Sequence, residues 1–514
     1  MQAWQDDARI GKFIISFQLS AFSNQLSAFL GAFAIIAQTK TKFLSFWIKL
    51  VYGTGDWSEA SYGTLRQIFY AIFLTDVVGL DPRLASIAAL VGIIWDAVND
   101  PLVGILTDRM RSRWGRRRPF LLIFAVPFGA SFLLLWWAPP WHNQIALAAT
   151  VTLAFMISDT FETLCGVPFA SLLPELSPDY DERTTLTSFR IFFNLLASLV
   201  TAVAAPAIID AALSAGLTQQ QGYLIVAGIF GGLAAIPFLL IFTFVRERYG
   251  AVDRPQETIS FRRTIQTAWA NIPFRFATLI YMLNWITFDL VALVLPFYLL
   301  YWIARGNMLT SVKLLGISLP LESAVFALLL ITATAVLPFW MWLSHRLGKH
   351  IAYIIGMVFW AAVQIGIFLV RPGQVTLVLW MAFLAGLSVS AAHILPDAMF
   401  PDVIEWDELR TGRRQEGIYY GMKNFIRKLT GAMAIFLALQ VLGWFGYQAP
   451  PAGVTSFVQS PITLTAIRFL IGPLGAVLLF SAVITTWFYP LTRERHGRIR
   501  RLLEIRNNQR QARK

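Results

Sequence analysis

Apolar runs of about twenty residues recur along this chain, and few charges interrupt them. A run of that length forms a helix that crosses the hydrocarbon layer of a membrane. Twelve such runs are readable, at about 60–80, 83–107, 119–140, 145–174, 188–214, 221–245, 275–303, 321–344, 351–370, 375–400, 417–445 and 464–489. Charged residues make up 14% of the 514 residues, against about 25% in a soluble domain. A soluble chain of this length would need charged surface on two or more domains. The pattern predicts an all-α polytopic membrane protein. Cys165, the single cysteine, excludes an intramolecular disulfide and a thiolate metal site. The formal charge of +13 lies in short loops and the tail, which is a topology signal and not a nucleic-acid footprint.

Lysine and arginine set the expected orientation. The even-numbered loops and the tail carry about 27 of them and the odd-numbered loops about 4. The even loops and the C-terminus are therefore expected on the cytoplasmic side of the cell's inner membrane. The basic tail, 491–514, reads as a solvated topology anchor or as a segment lying on anionic lipid. The connection 246–271 is the longest, and it divides the chain into 43–245 and 272–490, six spans each, as in a two-half transporter. Residues 1–42 are an N-terminal extension. Its apolar segment 13–37 fits a thirteenth span, an interfacial helix or a dispensable extension.

Intramembrane charge is costly and marks function. Asp96 and Asp100, four apart in the second span, share one helix face with Asn99 beside it. Oxygen ligands at this spacing suit a small hard cation or a proton relay. The loop that follows runs from Asp108 to Gly115, Arg116, Arg117, Arg118 and Pro119. It reads as a topology signal or as a charged latch gating one side. The fourth span carries Asp159, Glu162 and Thr163, and the fifth opens with Arg190. Arg66, several residues inside the first span, needs a carboxylate from the second or fourth span, or an anionic substrate. The eleventh carries Lys423, Asn424, Arg427 and Lys428, with Lys428 deepest and Lys423 and Arg427 toward the cytoplasmic end. The acidic stretch 397–414 before it reads as a solvated loop. No metal-ligand spacing, phosphate-cradling glycine loop or nucleophile–base motif is visible, so an enzyme is not expected and no cofactor is implied.

TDVVGL at 75–80, WDAVNDP at 95–101, RSRWGRRRP at 111–119, VPFASLLPEL at 167–176, DVIEWDELRTGRRQEG at 402–417 and the Lys428 region complete the pattern. Together they resemble the glycoside-pentoside-hexuronide:cation symporters, the melibiose-permease-like group of the major facilitator superfamily, over about residues 43–490. The resemblance implies twelve transmembrane helices in two six-helix bundles. It implies that Asp96, Asn99, Asp100 and Thr163 bind the coupling cation, sodium or a proton. It further implies that Lys428 supports both cation and sugar, that Arg190 stands near the sugar, and that Asn424 is a polar cavity residue. This chain departs from the group's galactoside site. The helix I acid falls on Ala60, the helix II arginine on Ile93, the helix IV acid on Gly166 and a nearby tryptophan on Ala170. Arg66, Glu162, Lys423 and Arg190 offer replacement contacts, and the added cations point toward an acidic sugar. The expected function is cation-coupled symport of a sugar or glycoside by a monomer in lipid, with no nucleic-acid partner. The alternative is symport of a lysophospholipid or other amphiphile.

Overall fold

The computed structural model describes residues 44–512 apart from 111, 178–179, 248–268, 315, 413–415, 452–453 and 455. The apolar segment 13–37 and most of the connection 246–271 lie outside the described residues.

A short helix α1 (Phe46–Gly53) leads into the first bundle. That bundle comprises α2 (Gly55–Ile72), α3 (Pro82–Arg109), α4 (Arg118–Leu135), α5 (Gln144–Leu176), α6 (Tyr180–Ser214) and α7 (Gln219–Phe244). The second comprises α8 (Ile272–Phe297), α9 (Leu321–Leu347), α10 (Lys349–Leu369), α11 (Val375–Thr411), α12 (Glu416–Trp444) and the pair α13 (Pro461–Phe469) and α14 (Gly475–Trp487), joined by a π turn. A hairpin of β1 (Ser311–Leu314) and β2 (Ile317–Pro320) precedes α9, and α15 (Arg493–Ala512) closes the chain. Eleven of these spans are long and apolar enough to cross a membrane. The twelfth is α2, which carries Asp56, Glu59 and Arg66 in eighteen residues. The result is the expected two six-helix bundles.

Local chemistry starts the helices where the sequence places them. Asp81 caps α3, accepting from Arg83 N at 2.8 Å, with Pro82 in the first turn. Asn143 caps α5, and Thr218 with Gln221 forms a capping box on α7. Several boundaries move, the fifth span beginning at Tyr180 and not 188 and the third ending at Leu135 and not 140. The first span begins before residue 60, so Asp56 and Glu59 lie inside it. The tenth span does not end at 400, because α11 continues through Pro401 to Thr411. The stretch expected to be a solvated loop is therefore largely helix. Asp402 and Asp407 are buried there, and Lys349 reaches Asp402 at 2.6 Å. The tail is not simply solvated either. In α15, Ile499 and Leu503 are buried, and Arg506 lies 3.6 Å from Glu408.

Helices α4 and α7 approach most closely at Gly129 and Gly231, where a Cβ on either would run into the other's backbone carbonyl. Small residues permit such contact between membrane helices. Gly231→Val is expected to lower the melting temperature of purified protein, by roughly 1–3 kcal/mol of overpacking. Gly232→Val, where a Cβ meets nothing within 4 Å, serves as the control and should change little. Equal losses in the two variants would overturn this reading of the contact.

Candidate functional site

A cavity of about 540 Å³ lies between the bundles. Helix periodicity decides which α2 residues face it: Glu59, Gly63, Arg66 and Tyr70 at steps of three and four, with Gln67 and Ala71 beside them. Helix α3 contributes Ile93, Asp96 and Asp100, α5 contributes Glu162, Thr163 and Gly166, α8 contributes Asp289, and α12 contributes Arg427 and Lys428.

Lys428 is the centre of this arrangement. Its ammonium lies 2.9 Å from Asp96 Oδ2 and also donates to Asp100 Oδ2. Both acids belong to the first bundle and the lysine to the second. Thr163 Oγ1 stands 3.4 Å from Asp100 Oδ1 and donates to the Asp159 carbonyl at 3.0 Å. Pro101, next along α3, removes the backbone hydrogen bond that the Ala97 carbonyl would accept. Asn99 is buried but does not line the cavity, and its Nδ2 has no partner among the described residues.

The other cavity cations are matched by acids. Arg66 donates to Asp159 at 2.9 Å and lies over the rings of Tyr62 and Phe155 at 5.1 and 5.0 Å. Arg427 is not at the helix end as its position suggested. It lines the cavity, donates to both oxygens of Asp289 at 2.6 and 2.9 Å, and stacks 4.0 Å over Trp285. Gln67 donates to the same Asp289 at 2.6 Å across the bundle interface. Arg190 does not line the cavity, since its guanidinium is held by Asp56 at 2.8 and 2.9 Å. Asn424 is exposed and also lies off the cavity wall. Lys423 pairs with Asp397. Glu59 and Glu162 carry the remaining charge. Their carboxylates flank Gly166, where a Cβ would stand 3.0 and 3.2 Å from their oxygens. Glu162 has no ion pair or hydrogen bond among the described residues, and Glu59 only Arg190 at 4.0 Å.

Asp56, Glu59 and Asp289 escaped the sequence reading, and Arg427 was placed toward the helix end and not on the cavity. The signal for Asp56 and Glu59 was the polar stripe on α2, hidden by starting that span four residues after Asp56. The loop arginines are engaged within the first bundle. Arg116 and Arg117 reach Glu175 at 2.8 and 2.9 Å, and Glu247 accepts the backbone N–H groups of Arg116, Arg117 and Arg118. Gly115, at φ +104°, admits that carboxylate where any Cβ would collide with it. The side chain of Asp108 lies outside the described residues.

A second chamber, about 370 Å³, is lined by Trp285, Phe288, Phe326, Leu329, Trp360 and Met381, and shares Gln67 and Arg427 with the first. The described hydrogen bonds and ion pairs between bundles lie in the middle of the fold or at the end away from the arginine loops. At that end the Tyr301 and Tyr447 hydroxyls donate to Asp76, Ser323 to the Val203 carbonyl at 2.7 Å, and Gln440 to Ser86 at 2.7 Å.

Removing one member of a buried pair strands the other charge. Arg66→Gln is expected to destabilise by about 3 kcal/mol, read as the melting temperature in detergent. Arg66→Gln with Asp159→Asn should recover most of that loss. A double variant no better than the single would show that the two charges do not depend on each other.

Comparison with known proteins follows the same lines. Residues 51–493 match the family model described as MFS/sugar transport protein. The chain is 30% identical to an uncharacterized symporter, sll1374, of Synechocystis, over 90% of this chain and 97% of that one. It is 26% identical to the sodium-dependent lysophosphatidylcholine symporter 1 of Gallus gallus, over 90% and 89%. Among solved structures it is similar in fold to the nucleoside transporter NupG, with a TM-score of 0.59 at 13% identity, over 86% and 99%. The E. coli xylose transporter XylE gives 0.57 at 14%, over 87% and 96%. The chain is thus an integral multi-pass transporter and not an enzyme, and it belongs to the MFS/sugar transport protein family of symporters.

Proposed function

We propose that this protein couples an inward sodium or proton gradient to the uptake of a sugar or glycoside by alternating access. One observation carries the reading: Lys428 of the second bundle is clamped between Asp96 and Asp100 of the first. Two carboxylates and one ammonium form a site in which a cation can replace the lysine. A cation held by Asp96 and Asp100, with Thr163 and Asn99 in support, releases Lys428 toward the cavity. Cation and substrate then favour each other's binding, and the effect is reciprocal. Relatives named as sodium-dependent support sodium over a proton. Glu162, Arg66 and Lys428 face the substrate space, and Arg190 and Asn424 join them only if the bundles move. The latch of Asp108 and Arg116–Arg118 gates the arginine-rich end, which the lysine and arginine bias assigns to the cytoplasm. The site is complete in one chain, which supports a monomer.

Charge balance bears on the substrate. Arg66 and Arg427 are paired with Asp159 and Asp289, while Glu162 has no partner among the described residues and Glu59 only Arg190 at 4.0 Å. This favours a neutral hydroxylated group, which donates to carboxylates, over the acidic sugar that the added cations suggested. The apolar chamber beside Arg427 favours a second reading, in which the substrate is a lysophospholipid or similar amphiphile with its chain in that chamber.

The test is uptake into vesicles of a neutral glycoside, a glucuronide and lysophosphatidylcholine, each with and without an inward sodium gradient. Sodium-stimulated glycoside uptake is expected in the wild type, and Asp96→Asn or Asp100→Asn should lower accumulation at least tenfold. Full gradient-driven accumulation by both variants would refute the cation site. Stimulation of lysophosphatidylcholine alone would select the second reading.

A further inference from the structure

A third and much smaller pocket, about 50 Å³, lies at the end of the fold away from the arginine loops. It sits on the seam between the bundles. Asp210 on α6 and Tyr223 on α7 enter it from the first bundle, and Glu322 in the first turn of α9 enters from the second. Gln219, Asn307 and Thr310 complete its polar wall, and no lysine, arginine or histidine lines it. Neither Asp210 nor Glu322 has an ion pair or hydrogen bond among the described residues. The other acid facing this region, Asp76, is already bonded to Thr75, Tyr301 and Tyr447.

Tyr223 is an independent pointer. Its ring is stacked on Trp136 at 5.2 Å and packed against Phe73 at 5.1 Å, so the residue is only 5% exposed. Its hydroxyl nonetheless has no hydrogen-bond partner among the described residues, and it borders the pocket. This hydroxyl and the two unpartnered carboxylates bring three oxygen-bearing groups to one pocket.

We propose that this pocket binds one divalent cation, which ties the two bundles together at this end. Two carboxylates balance the charge of one such ion. The space, about 50 Å³, admits an ion with part of its water shell, since a water occupies about 30 Å³. No group of three or more His, Cys, Asp or Glu ligands occurs among the described residues. The ion therefore keeps some of its water, as magnesium and calcium do when one or two carboxylates hold them. The site is distinct from Asp96 and Asp100, and its role is to stabilise one conformation and not to drive uptake.

The experiment is a thermal-stability titration of purified, chelator-treated protein at fixed saturating sodium, with calcium and magnesium added separately. The wild type is expected to gain several degrees in melting temperature from at least one of them. Asp210→Asn and Glu322→Gln should each abolish the gain. Metal-free, they should be at least as stable as the metal-free wild type, because a repulsion has been removed. Tyr223→Phe, which deletes only the hydroxyl, should shift the midpoint to several-fold higher metal concentration. An undiminished gain in the two carboxylate variants would overturn the proposal. So would a wild type that ignores both metals, including one stabilised only by lowering the pH, which would mean a shared proton instead. The readout does not involve uptake, so failure of the transport reading would leave this test intact.

Discussion

Charge held within a membrane must be matched by charge, and that constraint organises the interior of this protein. An isolated ion in the hydrocarbon layer is too costly to persist, whereas an ion pair with good geometry is tolerated. Arg66 with Asp159, Arg190 with Asp56, and Arg427 with Asp289 each satisfy it between two helices. Apolar packing sets the helices side by side, but it is non-directional. The paired charges fix which faces meet, because a rotation of either helix would strand an ion.

Other polar contacts cross between the bundles, among them two on the central cavity. Lys428 with Asp96 and Asp100, and Gln67 with Asp289, join the halves through polar groups that water or an ion can replace. Gly129 against Gly231, by contrast, lies within one bundle and admits nothing between the helices. Rigid bundles joined by exchangeable polar contacts are what rocking of one half against the other requires.

Much of this was legible in the residues. The recurrence of apolar runs located the spans, and the four-residue spacing of Asp96 and Asp100 placed both on one face. The reading failed where polarity mimicked a loop. Helix α2 is polar along its cavity stripe, so its start was placed too late and Asp56 and Glu59 were lost. The end of α11 is acidic and contains Pro401, yet its carboxylates are satisfied by Lys349 and by α15. In both cases a tertiary partner removed the cost that made helix seem unfavourable.

The sequence by itself determined the spans, their number and the residues able to carry charge into the membrane. Those properties follow from hydrophobic length and helical period, both local. Only the tertiary structure decided which charges meet. Arg427 and Lys428 are adjacent in the chain, yet one turns to Asp289 of its own bundle and the other to Asp96 and Asp100 of the opposite one. Successive residues on a helix point about 100° apart, and the neighbours they find depend on how the helices pack. For the same reason only the fold revealed that Glu59 and Glu162 face the cavity together, and that Asp210 and Glu322 face one pocket from opposite bundles.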